Sequence, residues 1–209
     1  SYTWTLPSGW TGTSTTNSIS ATADATSGTI SVMATNACGS SAAQNLAITV
    51  NTIPTTPATI SGSNAICEGS SNNYSVPAVA GATSYTWTLP AGWSGTSTTN
   101  SITTTASSTS GNITITANNS CGNSAASTLS IAVNALPTVT LNVPTDLLCT
   151  YSSPLILSGA SPSGGTFSGT GVSGGSFNPA TAGTGTFTIT YTFTDGNSCT
   201  NTATDNILV

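Results

Sequence analysis

The chain has 209 residues, with no lysine, arginine or histidine and only five acids, Asp24, Glu68, Asp146, Asp195 and Asp205. Its charged fraction of 2% compares with about 25% in ordinary globular proteins. Without a cation it cannot neutralise phosphates, which excludes nucleic acid and anionic membrane surfaces as partners. Without histidine or lysine it lacks the usual general bases and activators of nucleophiles.

An intramolecular Lys–Asn crosslink is equally impossible. No apolar run reaches the length of about 18 residues that a bilayer-spanning helix needs, so membrane insertion is not expected. Serine and threonine make up 78 residues, yet the hydrophobic fraction of 36% leaves enough apolar material for cores. These counts point away from an enzyme, and no cofactor, metal site or catalytic residue is predicted.

The chain opens on Ser1-Tyr-Thr-Trp-Thr-Leu-Pro7, which recurs unchanged as Ser84 to Pro90. Gly12–Ile19 recurs as Gly95–Ile102, Cys38-Gly39 as Cys121-Gly122 and Pro54 as Pro137, all at an offset of 83. Over the 54 aligned positions 35 are identical. That period is too long for a solenoid coil and suits one small β-domain per repeat. The second copy carries an opening segment, Ala58–Gly62 and Asn72–Val76, that the first copy does not show. Residues 1–53 are therefore expected to be the C-terminal part of a repeat whose front strands lie upstream. Residues 54–136 form a complete repeat, and 137–209 a repeat of a second type. An incomplete domain that accepts a strand from a neighbour is the structural variant of this reading.

Along the second copy, Tyr85, Trp87 and Leu89 share one face of a predicted strand, with Thr86 and Thr88 opposite. Ile113 and Ile115 alternate in the same way, as do Leu129, Ile131 and Val133. The short linkers Asn51–Pro57 and Asn134–Pro137 are stiffened by proline. In Thr184–Thr194 the odd positions read Gly, Phe, Ile, Tyr, Phe and the even ones are all threonine, a strand with one buried and one hydroxyl-bearing face. Pro90-Ala-Gly92, Ser110-Gly111 and Asp195-Gly196 supply turns. No segment shows a 3.6-residue stripe. The fold class read from this pattern is all-β: tandem immunoglobulin-like antiparallel sandwiches arranged as an extended rod, roughly 100 Å long for three domains of 25–35 Å each.

The five cysteines follow the repeats. Each complete repeat has one shortly after its first strand and one near its last hairpin, so Cys67 is expected to pair with Cys121, and Cys149 with Cys199. Cys38 is the counterpart of Cys121 and would take a cysteine upstream of the chain. Such disulfides imply an oxidising, extracellular setting at the cell surface. No Cys-x-x-Cys pair supports zinc.

Other motifs reduce to structure. Gly169–Gly174 fits G-x-G-x-x-G, but no helix follows it and no acid stands about 20 residues on. Gly171–Gly175 fits G-x-S-x-G, yet no histidine exists to activate Ser173. Asp195-Gly-Asn197 is the least poor calcium candidate and also the pair that a tight hairpin demands. Trp4 and Trp87 read as core. Trp10 and Trp93 follow Pro-x-Gly turns and either plug the end of a sandwich or stack on sugar rings. The row Thr186, Thr188, Thr190, Thr192, Thr194 resembles an ice- or sugar-facing array but is more simply the solvent face of a strand. Sequons stand at Asn73, Asn112 and Asn118.

The block SYTWTLPxGWxGTSTTNSI, the Asn-x-Cys-Gly turn and a final strand before proline resemble the PKD-like immunoglobulin-type repeats of Bacteroidetes surface proteins. Those repeats build very large secreted adhesins, including gliding-motility adhesins exported by the type IX system. Residues 137–209 resemble a companion repeat through GGTFSGTGV and FNPATAGTGTFTITYTFTD. The resemblance implies a spacer or adhesive module of an extracellular filament or stalk, with a carbohydrate-binding module or an accessory region of a secreted enzyme as the alternative. Expected partners are adjacent repeats of the same long chain, laterally associated copies and surface glycans.

Overall fold

The computed structural model describes residues 1–144 and 147–209. Regular structure is almost wholly β, the exception being a single helical turn, α1 (Pro179–Ala182). Contacts divide the chain into two compact units: one of 1–58, 77–86 and 115–127, and one of 59–76, 87–114 and 128–209.

In the first unit β1 (Tyr2–Thr5) and β3 (Gln44–Ile48) both pair antiparallel with β2 (Gly28–Asn36). The register sets Trp4 opposite Val32 and Ile30 opposite Leu46, so one face collects the apolar side chains, as a period of two requires. The loops that follow β1 are pinned by indoles. Trp4 Nε1 donates to the Thr16 carbonyl at 3.0 Å and Trp10 Nε1 to that of Thr26 at 2.8 Å. The second copy repeats both bonds, Trp87 to Thr99 and Trp93 to Thr109, each at 2.9 Å.

The opening segment of the second copy supplies β4 (Ala65–Cys67) and β5 (Ser71–Ser75), followed by β6 (Ser84–Thr88), β7 (Ser101–Thr105), β8 (Gly111–Asn119) and β9 (Ser127–Asn134). β5 pairs antiparallel with β7 along five residues, while β4 runs parallel to the end of β9 and sets Cys67 opposite Asn134. Tyr74 on β5 is fully buried and its hydroxyl donates to the Ser63 carbonyl. Burial pushes this phenol above its ordinary pKa, because the ionised form would lose its water. Gly62, at φ +149°, lets the backbone lie against the Tyr74 ring, where a Cβ has no room.

In residues 137–209, β10 (Thr166–Ser168), β11 (Thr186–Thr194) and β12 (Thr200–Leu208) form an antiparallel sheet. Ile189 and Tyr191 are buried on the predicted apolar face of β11, and Phe187 is partly so. Ile189 joins Val143, Leu157, Phe177 and Ile207 in one core. The threonine row is split. Thr186, Thr188 and Thr194 are exposed, whereas Thr190 and Thr192 pair with Ser168 and Thr166 of β10 and are half-buried. The Tyr191 hydroxyl accepts from Gly165 N–H at 2.6 Å and donates to the Pro162 carbonyl at 2.7 Å, tying the glycine-rich loop to the sheet.

Candidate functional site

The cysteines form the most differentiated chemistry of the chain, and their pairing differs from expectation. Cys67 is bonded to Cys199, with 5.5 Å between their Cα atoms. The expected pairs Cys67–Cys121 and Cys149–Cys199 are thereby replaced, and Cys38, Cys121 and Cys149 are free and exposed. The reason lies in where strands end. The parallel pairing of β4 delivers Cys67 to Asn134, where β9 gives way to the linker. The Asn201 amide at the start of β12 donates to the Pro137 carbonyl of that linker at 2.9 Å. Asp195 Oδ1 accepts from the N–H groups of Asn197 and Cys199 and shapes the turn that carries Cys199 inward. Cys199 is fully buried and Cys67 half-buried. Cys121 belongs to the other compact unit.

Each remaining cysteine sits in a defined turn. Cys121 N–H is held by Asn119 Oδ1 at 2.8 Å, and Cys38 N–H by Asn36 Oδ1 at the same distance. The Asn119 amide also donates to the carbonyls of Thr52 and Gly81, and the Cys121 thiol donates to that of Asn51 at 3.3 Å. Cys149 lies in a turn closed by Ser152 N–H to its carbonyl, the same bond that Ser70 makes to Cys67. The Tyr151 hydroxyl lies against the Cys149 thiol. That hydrogen bond, and then the charge of the ionised sulfur, hold the phenol above its ordinary pKa.

The other candidates resolve as follows. Trp93 is buried, which removes it as a sugar-stacking platform. It closes its own loop through Thr109, as a long apolar side chain after a tight turn is free to do. Trp10 is half-buried with its ring nitrogen engaged by Thr26. The carboxylates act as backbone caps: Asp24 Oδ1 accepts from Thr26 N–H at 2.7 Å, and Asp205 Oδ2 from Val143 N–H at 2.8 Å. Ser107, the counterpart of Asp24, caps Thr109 N–H in the same way. Asp146 lies outside the described residues. Among the described residues no three His, Cys, Asp or Glu side chains cluster as metal ligands.

This arrangement of paired strands and cysteine-bearing turns is that of an immunoglobulin-like β-protein. The chain belongs to the PKD-like domain family, which matches residues 1–48 and 53–131, one match for each copy of the repeat. No curated protein matches it in sequence. Among solved structures it is similar to the N-terminal eight immunoglobulin domains of Down syndrome cell adhesion molecule, at 16% identity and TM-score 0.42 over 100% of this chain and 32% of that one. It is also similar to a calcium-stabilised adhesin with which an Antarctic bacterium binds ice, at 13% identity and TM-score 0.34 over 86% of this chain and 55% of that one. A 1.5-MDa bacterial ice-binding adhesin gives 16% identity and TM-score 0.35 over 86% and 72%. The chain thus spans about a third of the length of the first of these.

Proposed function

We propose that the chain is a non-catalytic structural segment of an extracellular filament or adhesin stalk that extends from the cell surface and mediates adhesion or surface motility, in the manner of the large secreted adhesins of Bacteroidetes. Its parts in this reading are a partial PKD-like repeat over 1–53, a complete one over 54–136 and an immunoglobulin-like repeat of a second type over 137–209. The observation that carries the proposal is the Cys67–Cys199 disulfide. It joins the opening of one PKD-like repeat to the segment that follows, and such bonds persist in oxidising compartments outside the cytoplasm. Tandem membership of the PKD-like family supports the same reading. A chain with no cation is suited to a surface where trypsin-like proteases act, since it offers them no cleavage site.

The test is antibody labelling of intact, unpermeabilised cells with serum raised against the chain, combined with the mass of the labelled species after reduction and alkylation. Surface label on a species far heavier than 20.5 kDa is the expected result. Label confined to permeabilised cells, on a chain with all five cysteines alkylated before reduction, would overturn it.

A further inference from the structure

The first repeat contains an open face whose equivalent in the second repeat is closed. In the second repeat β5 pairs along β7, and β4 pairs with the end of β9. An offset of 83 takes β7 to 18–22 and β9 to 44–51. There, among the described residues, Ser18–Thr22 forms no strand, its ladder contact being the single bridge from Thr22 to Thr11. Gln44–Ile48 pairs with β2 and with no second strand.

Between these two unpaired edges lies an apolar groove of ≈480 Å³ lined by Trp4, Ile19, Ile30, Val32 and Leu46, among others. Leu46 is 60% exposed, whereas Ile102, Ile113 and Ile115, the counterparts of Ile19, Ile30 and Val32, are exposed by 2%, 0% and 0%. The difference follows the opening segment. The second repeat possesses one, and its Ile60, Ile66, Tyr74 and Val76 are buried.

A second observation fixes what belongs there. The Cys121 thiol donates to the Asn51 carbonyl, and Asn51 is the counterpart of Asn134 at the offset of 83. Asn134 is the residue opposite Cys67, and the Cys199 sulfur lies 4.0 Å from its carbonyl. Cys121 therefore stands to the end of the first repeat as Cys199 stands to the end of the second. Its sulfur is where the cysteine of an opening segment arrives.

We propose that the open face of the first repeat, from the Trp4–Leu46 groove to the Cys121 thiol, is a docking site for an opening segment of the kind formed by residues 58–76. The segment adds one strand antiparallel to Ser18–Thr22 and a second parallel to Gln44–Asn51, and its cysteine forms a disulfide with Cys121. The occupant is defined by its chemistry: two short strands carrying Ile, Cys, Tyr and Val at the spacing of Ile60, Ile66, Cys67, Tyr74 and Val76. Backbone pairing at open edges supplies adhesion, and the side chains filling the groove supply register. In the oxidation the two thiols lose two protons and two electrons to a disulfide oxidant, and one S–S bond forms. The general rule is that the opening cysteine of one repeat bonds the turn cysteine of the next, as Cys67 bonds Cys199. Cys149, an opening cysteine by its turn, is not a target for another opening segment and serves as the internal control.

The test uses the full chain with Cys67–Cys199 intact and a synthetic peptide of residues 58–76 whose cysteine carries a thiopyridyl leaving group. The Cys121 thiolate attacks the peptide sulfur, forming the new disulfide as thiopyridone is released. Relative to a thiopyridyl tripeptide, the peptide should favour Cys121 over Cys149 by about tenfold or more, because docking raises the effective concentration. Amide exchange at Ser18–Thr22 should slow in the product. Leu46→Asp, on an exposed side chain, should cut the peptide rate about tenfold while leaving the tripeptide rate unchanged, and a peptide with Asp in place of both Ile66 and Tyr74 should lose the preference. Equal preference for Cys121 and Cys149, or labelling of Cys121 without slowed exchange at Ser18–Thr22, would overturn the proposal. The outcome is independent of the adhesion reading, which surface labelling tests.

Discussion

Removing the disulfide by Cys67→Ala with Cys199→Ala tests the connectivity on which the site rests. The two cysteines are 132 residues apart, for which the chain-entropy relation gives about 5 kcal/mol at 25 °C. With a urea dependence of about 2–3 kcal/mol per molar, the unfolding midpoint should fall by roughly 2 M. Reduced wild type should unfold at the same urea concentration as the double variant, since both lack the same crosslink. Energy alone does not distinguish this bond from the alternative, because closing the loop from Cys67 to Cys121 would give about 4 kcal/mol. Connectivity does. Cleavage after aromatic residues leaves Cys67 on 11–74, Cys121 and Cys149 together on 94–151, and Cys199 on 194–209. The native bond yields 11–74 joined to 194–209 alone. A three-peptide species containing 94–151, or a midpoint that reduction moves by less than about 0.3 M, would refute the reasoning.

Three further outcomes are expected. Phe177→Ala empties a fully buried position beside Phe187, whose ring centroid is 5.9 Å away, and should cost about 3–5 kcal/mol in urea unfolding. Ile113→Ala should cost about 2–4 kcal/mol, whereas Ile30→Ala, its counterpart in the open groove, should cost less than half of that, as read by amide exchange in each strand. Raising the pH above 10 should destabilise the second repeat. Tyr74 has a raised pKa in the fold, so the unfolded chain releases this proton first; the stability from the neutral phenol is complete below pH 10 and is lost as pH climbs through the folded value. Tyr74→Phe should flatten that part of an alkaline unfolding curve followed by tyrosinate absorbance.

Much of the fold was legible because the β-period writes burial directly into the chain. The alternation over Thr184–Thr194 located β11 and its buried face, and the offset of 83 located the opening segment that the first repeat does not show. Two features were hidden for physical reasons. Period two is the same for parallel and antiparallel ladders, so nothing in Ala65–Cys67 announced that it would run parallel to β9. The helical turn at Pro179–Ala182 is too short to show periodicity. Its only signal was local: Asn178 before Pro179, with the Asn178 side chain accepting from Ala180 and Thr181 N–H. The Trp93 ambiguity was of a third kind, since a tryptophan after a turn has the same sequence signature whether it faces inward or outward.

The cysteines show why an intradomain pairing was the wrong inference from correct positions. An opening cysteine and a turn cysteine recur in every complete repeat, and position within the repeat says nothing about which copy supplies the partner. The deciding information is the residue each sulfur faces. Cys199 and Cys121 face Asn134 and Asn51, which are one position under the repeat, and Cys67 faces Asn134 from the other side. A bond formed there crosses from one repeat to the next. Its effect falls on the connection between them, which the Asn201–Pro137 and Asn119–Thr52 hydrogen bonds already hold at two successive linkers. In a chain without a single cation, where no ion pair between side chains can brace a linker, amide and disulfide contacts are the means that remain for fixing one repeat to its neighbour.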